Sequence, residues 1–441
     1  MSARLTIMDL VRFGASPVGE LVDIHGTDGR FQEEYHHQAF VPADLGEEPT
    51  LSTATWHRIT AASRALARLD QASMLVSAPE LLRHPTLRRE AQSTSALEGT
   101  FAPLEDVLAA DASEEDVTGD LREVLNYIEA ADFAFDSLIS QPAITKSLLE
   151  QAHAILVEGT EADTADKGRV RQCQVAIGSS TGRIRDSRFV PMPPGADLDD
   201  SVRRLITWCE EALEQDIEPI VAAAMAHYQF ETLHPFNDGN GRIGRLLIVL
   251  QFLRYNLIRN PLLSVSPWFE QRRSEYQEGL ANVSISGDWD PWVQFFARGI
   301  GASAEDTARR VERLSSVQKQ FVDKLQAENA SGSIRDIVDR LIATPIVTVP
   351  RLSAALGKTR PAINTAVTRL VDMGILRGPY GTYNRRFVAQ DILDAIQAPM
   401  GQVPKHDEPI RANRPSRTGE SEDRPAASEA SEDTDGSAGE R

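Results

Sequence analysis

At 441 residues, with 41% hydrophobic and 25% charged positions, the chain has room for two or three cored domains. A net charge of -19 argues against adhesion to nucleic acid or anionic membranes through bulk charge. Its two cysteines, Cys173 and Cys209, lack CxxC partners, which speaks against a disulfide framework or a zinc site and for two buried thiols in a reducing, cytoplasmic setting.

Residues 1–50 carry few periodic signals and are expected to wrap over the rest. Their start, broken by Asp9, Arg12 and Pro17, lacks the apolar centre of a signal peptide. The longest apolar run, near Leu246–Leu250, is far short of the roughly 20 residues of a membrane span, so no membrane partner is expected. From Leu51 the pattern turns helical. "TWHRITAASRALARLDQAS" has apolar residues at helical spacing, and "HPTLRREAQSTSALEGT" reads as a second helix stopped by Gly99. "DLREVLNYIEAADFAFDSL" and "TKSLLEQAHAILVEG" continue the series. "GRVRQCQVAIGSSTGRIRDSRFVPMPPG" breaks it: alternation, Gly turns and three prolines predict a hairpin or flap. Helices resume with "DDSVRRLITWCEEAL" and "IEPIVAAAMAHYQFETL". The fold class is therefore mainly α with one β interruption, running to about Ala327.

A second unit covers 332–397. "SIRDIVDRLIA", "TVPRLSAALG" and "TRPAINTAVTRLVDMG", followed by short strands "ILRG" and "RRFVA", predict a winged helix-turn-helix, separable at about Ala327. Between Arg351 and Gln390 there are seven Lys or Arg and one Asp, a local reversal of the overall charge. Residues 400–441, acidic and almost free of large apolar groups, are expected to be disordered.

Chemistry concentrates in "FETLHPFNDGNGRIGRLLIVLQF", Phe230 to Phe252. Pro235 disfavours a helical residue before it, so the helix ending "HYQFETL" should stop and leave His234 at a loop entrance. Asp238-Gly239-Asn240-Gly241 is turn chemistry. The helix that follows, "RIGRLLIVLQFLRYN", starts with free N–H groups and a positive dipole end, a site for an anion and most naturally a phosphate. Arg242 and Arg245, three apart, share a face and can grip phosphate oxygens. Asp238 offers the hard oxygen that Mg²⁺ prefers beside phosphates. Together these suggest transfer of a phosphorus group to a hydroxyl with His234 as general base. On residue chemistry alone, a plain turn with a structural histidine stands level with that reading.

The twelve residues HPFNDGNGRIGR match, position for position, the His-Pro-Phe-x-Asp/Glu-Gly-Asn-Gly-Arg-x-x-Arg signature of the Fic family, and the chain resembles that family over roughly 30–390. The resemblance implies a Fic helical core (111–327) with a β-hairpin flap, preceded by an N-terminal segment (1–110) and followed by the winged helix. It implies a protein adenylyltransferase, moving AMP from ATP to a Ser, Thr or Tyr hydroxyl of a target protein or of the enzyme itself. His234 is then the base, Asp238 the Mg²⁺ ligand, and Phe236 the apolar anchor of the loop. ATP contacts fall to Gly239, Asn240, Gly241, Arg242, Ile243, Gly244 and Arg245, with Val190 of the flap and Tyr276 on the adenine side. Gly241, where the phosphorylating branch carries Lys, favours adenylylation. "TSALEG" resembles the family's inhibitory motif Ser/Thr-x-x-x-Glu-Gly/Asn, giving Thr94, Glu98 and Gly99 the role of a brake in which Glu98 competes for Arg245. The flap would hold an extended target segment by strand addition. His227 is read as structural. Two other readings stay open: a DNA-binding regulator using the winged helix, with the core as nucleotide sensor, and removal of AMP. So does a homodimer.

Overall fold

The computed structural model describes residues 7–28, 31–74, 79–110, 119–179, 181–212, 214–381 and 385–400; the tail expected to be disordered lies outside them from residue 401 onward. Residues 7–50 do more than wrap. After a short helix α1 (Leu10–Gly14) they form an antiparallel hairpin, β1 (Gly19–Asp28) and β2 (Glu33–Pro42), with Gly19 opposite Pro42 and Asp28 opposite Glu33. Of its strand residues only Ile24, Ala39, Phe40 and Pro42 are buried, so no period-2 signal was available to read. Phe40 anchors the hairpin, its ring 5.5 Å from Phe13 and 6.0 Å from Phe189, in a small apolar cluster with Met8 and Val190.

The helical body runs α2 (Thr53–Met74), α3 (Pro79–Glu98), α4 (Leu104–Ala109), α5 (Asp120–Ser140), α6 (Lys146–Val157), α7 (Ala196–Glu211), α8 (Pro219–Leu233), α9 (Asn240–Arg254), α10 (Ser266–Glu270), α11 (Arg273–Ser286) and α12 (Asp290–Ala327). Nearly every residue of α8 and α9 is buried, so these two are the central helices, apolar all round as such helices must be. α3 ends in a Schellman motif: Gly99, at φ +101°, lets the Gly99 and Thr100 N–H groups donate back to Ala96 (3.2 Å) and Ser95 (3.0 Å). That motif fixes where Glu98, the last helical residue, points. The expected flap is not a regular hairpin. It closes through one antiparallel bridge, Ile177 to Phe189, and Val190 accepts from the Phe40 N–H (2.9 Å), so β2 already occupies one edge offered for strand addition.

The C-terminal unit comprises α13 (Ser333–Arg340), β3 (Ile346–Thr348), α14 (Val349–Leu356), α15 (Arg360–Asp372), β4 (Arg377–Tyr380), β5 (Arg386–Val388) and α16 (Gln390–Gln397), its sheet in the order β3–β5–β4. The order of helices and short strands is consistent with a winged helix-turn-helix, but the packing does not divide at Ala327. Its core residues Leu341, Ile392 and Ile396 belong to the same contiguous cluster as the helical body, and α16 packs on both α12 and α3. Arg310 of α12, 4% exposed, donates to the end carbonyls of α16: Ala395 (3.0 Å), Ile396 (2.5 Å) and Ala398 (3.0 Å). It also pairs with Asp306 (2.9 Å), which takes Arg89 of α3 at 3.2 Å. No composition shift at 327 signals this tie, because it is made by helix neighbours four residues apart reaching a segment 85 residues onward.

Asp306 lies between the buried guanidinium of Arg310 and the largely buried one of Arg89. Asp306→Ala should lower unfolding free energy by about 3–5 kcal/mol, the cost of orphaning a buried charge. Urea denaturation reads this directly, and a loss below about 1 kcal/mol would show the cluster to be solvated.

Candidate active site

α8 stops at Leu233, and His234 caps it in the left-handed region (φ 50°, ψ 62°). Pro235 therefore ends the helix as expected, but not by forcing an extended residue. A buried arginine secures this unusual backbone. Arg171 donates to the carbonyls of His234 (2.8 Å), Met192 (2.6 Å) and Cys173 (3.1 Å), while its own N–H donates to Pro235 (2.9 Å). The His234 Nδ1 lies 3.3 Å from the Glu231 carbonyl. A carbonyl only accepts, so the proton sits on Nδ1 and Nε2 carries the free lone pair. Burial, reinforced by Arg171, lowers the His234 pKa to about 4, so the imidazole is neutral near pH 7.

The loop beyond is a turn, as read, and it is stapled by side-chain bonds. Asn240 side-chain atoms exchange two 2.8 Å bonds with the Phe236 backbone, and Phe236 stacks on His153 at 4.0 Å. Gly168 N–H donates to His153 Nδ1, so its Nε2 donates to the Asp238 carbonyl (3.0 Å). α9 then begins at Asn240, two residues earlier than read, behind Gly239 at φ 75° with no capping side chain. Its first-turn N–H groups are an anion site. The anion beside it is Glu98: a Cβ on Gly241 would overlap Glu98 Oε1. Arg245, 1% exposed, donates to Glu98 Oε1 (2.6 Å), Thr94 Oγ (2.7 Å) and the Thr94 carbonyl (3.0 Å). Burial alone would raise the Glu98 pKa, but Arg245, with help from Arg242 and His234, holds it below the usual carboxylate range.

His234, Glu98, Gly241, Arg245 and Tyr276 line one cavity, walled on the flap side by Ile177 and Phe189. Other expected ATP contacts lie elsewhere. Val190 is wholly buried in the small cluster under the hairpin. Ile243 is core. Arg242 turns away from the cavity to Asp238 and Glu123, both at 3.0 Å, because Glu123 of α5 offers a carboxylate that local spacing does not reveal. Gly244 serves packing: a Cβ there would lie 2.6 Å from Glu231 Oε1, and its carbonyl accepts from His227 Nδ1 (3.1 Å). Tyr276 both lines the cavity and packs, its hydroxyl donating to His227 Nε2 at 2.8 Å. His227, fully buried with its pKa lowered to about 3 by burial, is structural as read. Cys209 is buried but Cys173 is exposed, its thiol 3.1 Å from Asn237 Oδ1, contrary to expectation. Arg171, His153 and Glu231 escaped the sequence reading. Glu231 stands at the cavity with its pKa raised to about 7 by burial, despite Arg245. Only its place on the helix face of His227, four residues on, hinted at it.

Residues 56–136 match the Fic/DOC family N-terminal model, and 143–252 match the Fic/DOC family model. The protein adenylyltransferase fic-1 of Caenorhabditis elegans is 31% identical over 184 residues, 39% of this chain and 33% of the relative. The protein adenylyltransferase Fic of Drosophila grimshawi is 31% identical over 206 residues, 46% of this chain and 38% of the relative. The chain thus spans little more than a third of the length of these curated relatives. The crystal structure of a Fic family protein from Desulfovibrio desulfuricans aligns with 22% identity and a TM-score of 0.49 over 78% of this chain and 98% of that one. Among the described residues no helix is long and apolar enough to cross a membrane.

A neutral, half-buried His234 should be silent to pH over this range. In carbon-resolved imidazole spectra recorded from pH 8 to pH 5, the resonance that vanishes in His234→Ala should not shift. A midpoint near 6.5, the ordinary histidine value, would show that the ring is solvated.

Proposed function

We propose that this chain, which matches the Fic/DOC family models over 56–136 and 143–252, is a self-inhibited protein adenylyltransferase. One observation carries this reading: a neutral imidazole, an uncapped helix N-terminus and a buried arginine open into the same cavity. ATP phosphates would take the positive end of α9 and Arg245. A Ser, Thr or Tyr hydroxyl of a target, or of this chain, would lie at His234 Nε2. As the hydroxyl oxygen attacks the α-phosphorus, its proton passes to Nε2, the bond to the leaving oxygen breaks, and pyrophosphate departs with the phosphoester to AMP formed. Arg171 contributes by holding the His234 backbone, not by touching the reacting atoms.

Mg²⁺ is the implied metal, and Asp238 fits it. Among the described residues no cluster of three or more His, Cys, Asp or Glu could form an all-protein cage, but Mg²⁺ beside phosphates needs only one or two carboxylates. Asp238 is 56% exposed and its side chain is bonded only to Arg242 among those residues. When bound, the ion would neutralise phosphate charge.

The brake is Glu98. Its carboxylate rests where a phosphate would meet Gly241 and Arg245, so the two anions compete for one cation and one helix end. The 38% exposure of the Glu98 side chain places the pair between exposed ion pairs, about 0.2–1 kcal/mol, and buried ones, about 3–5 kcal/mol.

With α-labelled ATP, His234→Ala should lose about 10²–10⁴-fold in AMP incorporation; labelling at the wild-type rate would remove His234 from the chemistry. Glu98→Gln, which keeps shape and loses charge, should raise incorporation. Taking about 1–3 kcal/mol for the half-exposed pair, at about 1.4 kcal/mol per tenfold, the increase is roughly 5- to 100-fold, with Glu98→Gly at the upper end. If neither variant outpaces wild type at saturating ATP and Mg²⁺, Glu98 is only a C-terminal helix residue.

A further inference from the structure

The site above leaves the C-terminal unit without a task. We propose that the C-terminal unit binds double-stranded DNA, with the first turns of α15 in the major groove and the β4–β5 wing on flanking phosphates.

α15 is the second helix of a helix-turn-helix, joined to α14 through Gly357 at φ 62°. One face is committed to packing: Ile363, Ala366, Val367 and Leu370 are buried. A neighbouring stripe, Arg360, Asn364 and Thr368, is exposed at helical spacing, and Arg360 and Asn364 lie in the N-terminal half that such folds insert. Thr368 spends its hydroxyl on the Asn364 carbonyl (2.9 Å). Arg360 and Asn364 make no side-chain hydrogen bond or ion pair among the described residues. They are the two side-chain types that read guanine and adenine edges with paired hydrogen bonds. Gly374 (φ 66°) turns the chain at once into the wing, with the Ile375 and Leu376 N–H groups both bonded to the Leu370 carbonyl, so the wing is carried beside α15.

Charge separates this surface from the rest. The chain holds 65 acids against 46 bases, and about half of the described arginines elsewhere pair with a carboxylate, as Arg68 does with Glu312 and Arg204 with Asp44. On the turn before α15 and on the wing the pattern inverts. Lys358, Arg377, Arg385 and Arg386 are exposed with no carboxylate partner among the described residues, and the 351–390 stretch contains a single acid, Asp372, at the far end of α15. Basic side chains left unpaired in an acidic protein suit an external polyanion. A spaced helix face and a wing fit a groove with phosphates on its borders better than they fit one acidic peptide, which would need a single cluster.

The test uses the full chain and a fluorescein-labelled 24-base-pair duplex of mixed sequence, read by anisotropy between 50 and 200 mM salt. The expected result is binding with Kd of order 10⁻⁴–10⁻⁶ M that weakens with salt, log K falling by about 0.9 per phosphate contact per decade. The exposed double variant Arg385→Ala/Arg386→Ala should lower that slope by about 2, with the thermal transition unchanged as proof of folding. Selection from a duplex library should return a sequence preference that Asn364→Ala removes. No anisotropy change at 50 mM salt overturns the proposal. So does binding that the double variant leaves unaltered. Tighter capture of an acidic peptide than of the duplex, through the same arginines, also overturns it and makes the surface a protein dock.

Discussion

A guanidinium group buried to 1% exposure governs this structure. Removing such a cation from water costs several kcal/mol unless its N–H groups find oxygen partners. Arg245 finds them on another element, α3, and the docking of α3 against α9 follows. Thr94, wholly buried, supplies its hydroxyl and carbonyl; Glu98, at the rim, supplies charge. The division matters. The buried half of the contact keeps Arg245 in place and partly satisfied whatever Glu98 does. The exposed half is the part an incoming anion can displace. Gly241 and Gly244 belong to the same constraint, since a Cβ at either would collide with a carboxylate facing Arg245, Glu98 or Glu231.

Much of this was legible in the sequence, and the reasons are specific. α2, α3 and α5 to α8 show in apolar spacing and in stops such as Gly99 and Pro235. The contiguous motif from His234 to Arg245 placed the cavity floor, and the TSALEG stretch placed its rim. What escaped were partners supplied by distant segments. Arg171 serves His234 from 63 residues upstream, and Glu123 diverts Arg242 from 119 residues away. Nothing local distinguishes a buried arginine from a surface one. The N-terminal hairpin escaped because its strands bury so few side chains, and its role, covering the flap through Phe40, is visible only once the fold is formed.

The buried arginines share one use. Arg171 gathers carbonyls around His234, Arg245 joins α9 to α3, and Arg310 closes the end of α16. Each replaces a missing stretch of regular hydrogen bonding where chain segments meet without a sheet, and the planar five-donor group suits several acceptors at once. The described residues form one compact unit, with two arginines, Arg310 and Arg89, meeting at Asp306 across α12, α3 and α16.

That meeting point bears on how the proposed brake would be released. α3 is fastened at its middle in two places: Arg89 to Asp306, and the buried Glu90 to Ser264 (2.8 Å) and Ser266 (2.5 Å) at the start of α10. Moving α3 bodily would break both networks, each worth about 3–5 kcal/mol if one buried partner is orphaned. Swinging the half-exposed Glu98 side chain alone gives up only the one ion pair, within about 1–3 kcal/mol by the same scale. The cheaper path is a rotamer change at the last helical residue, with the helix left standing. Glu98 lies nine residues beyond Arg89, about 13.5 Å along the axis at 1.5 Å per residue, so the anchors hold the backbone beneath it while the carboxylate moves. The Schellman turn, which leaves the side chain at the rim, allows that swing without unwinding the helix end.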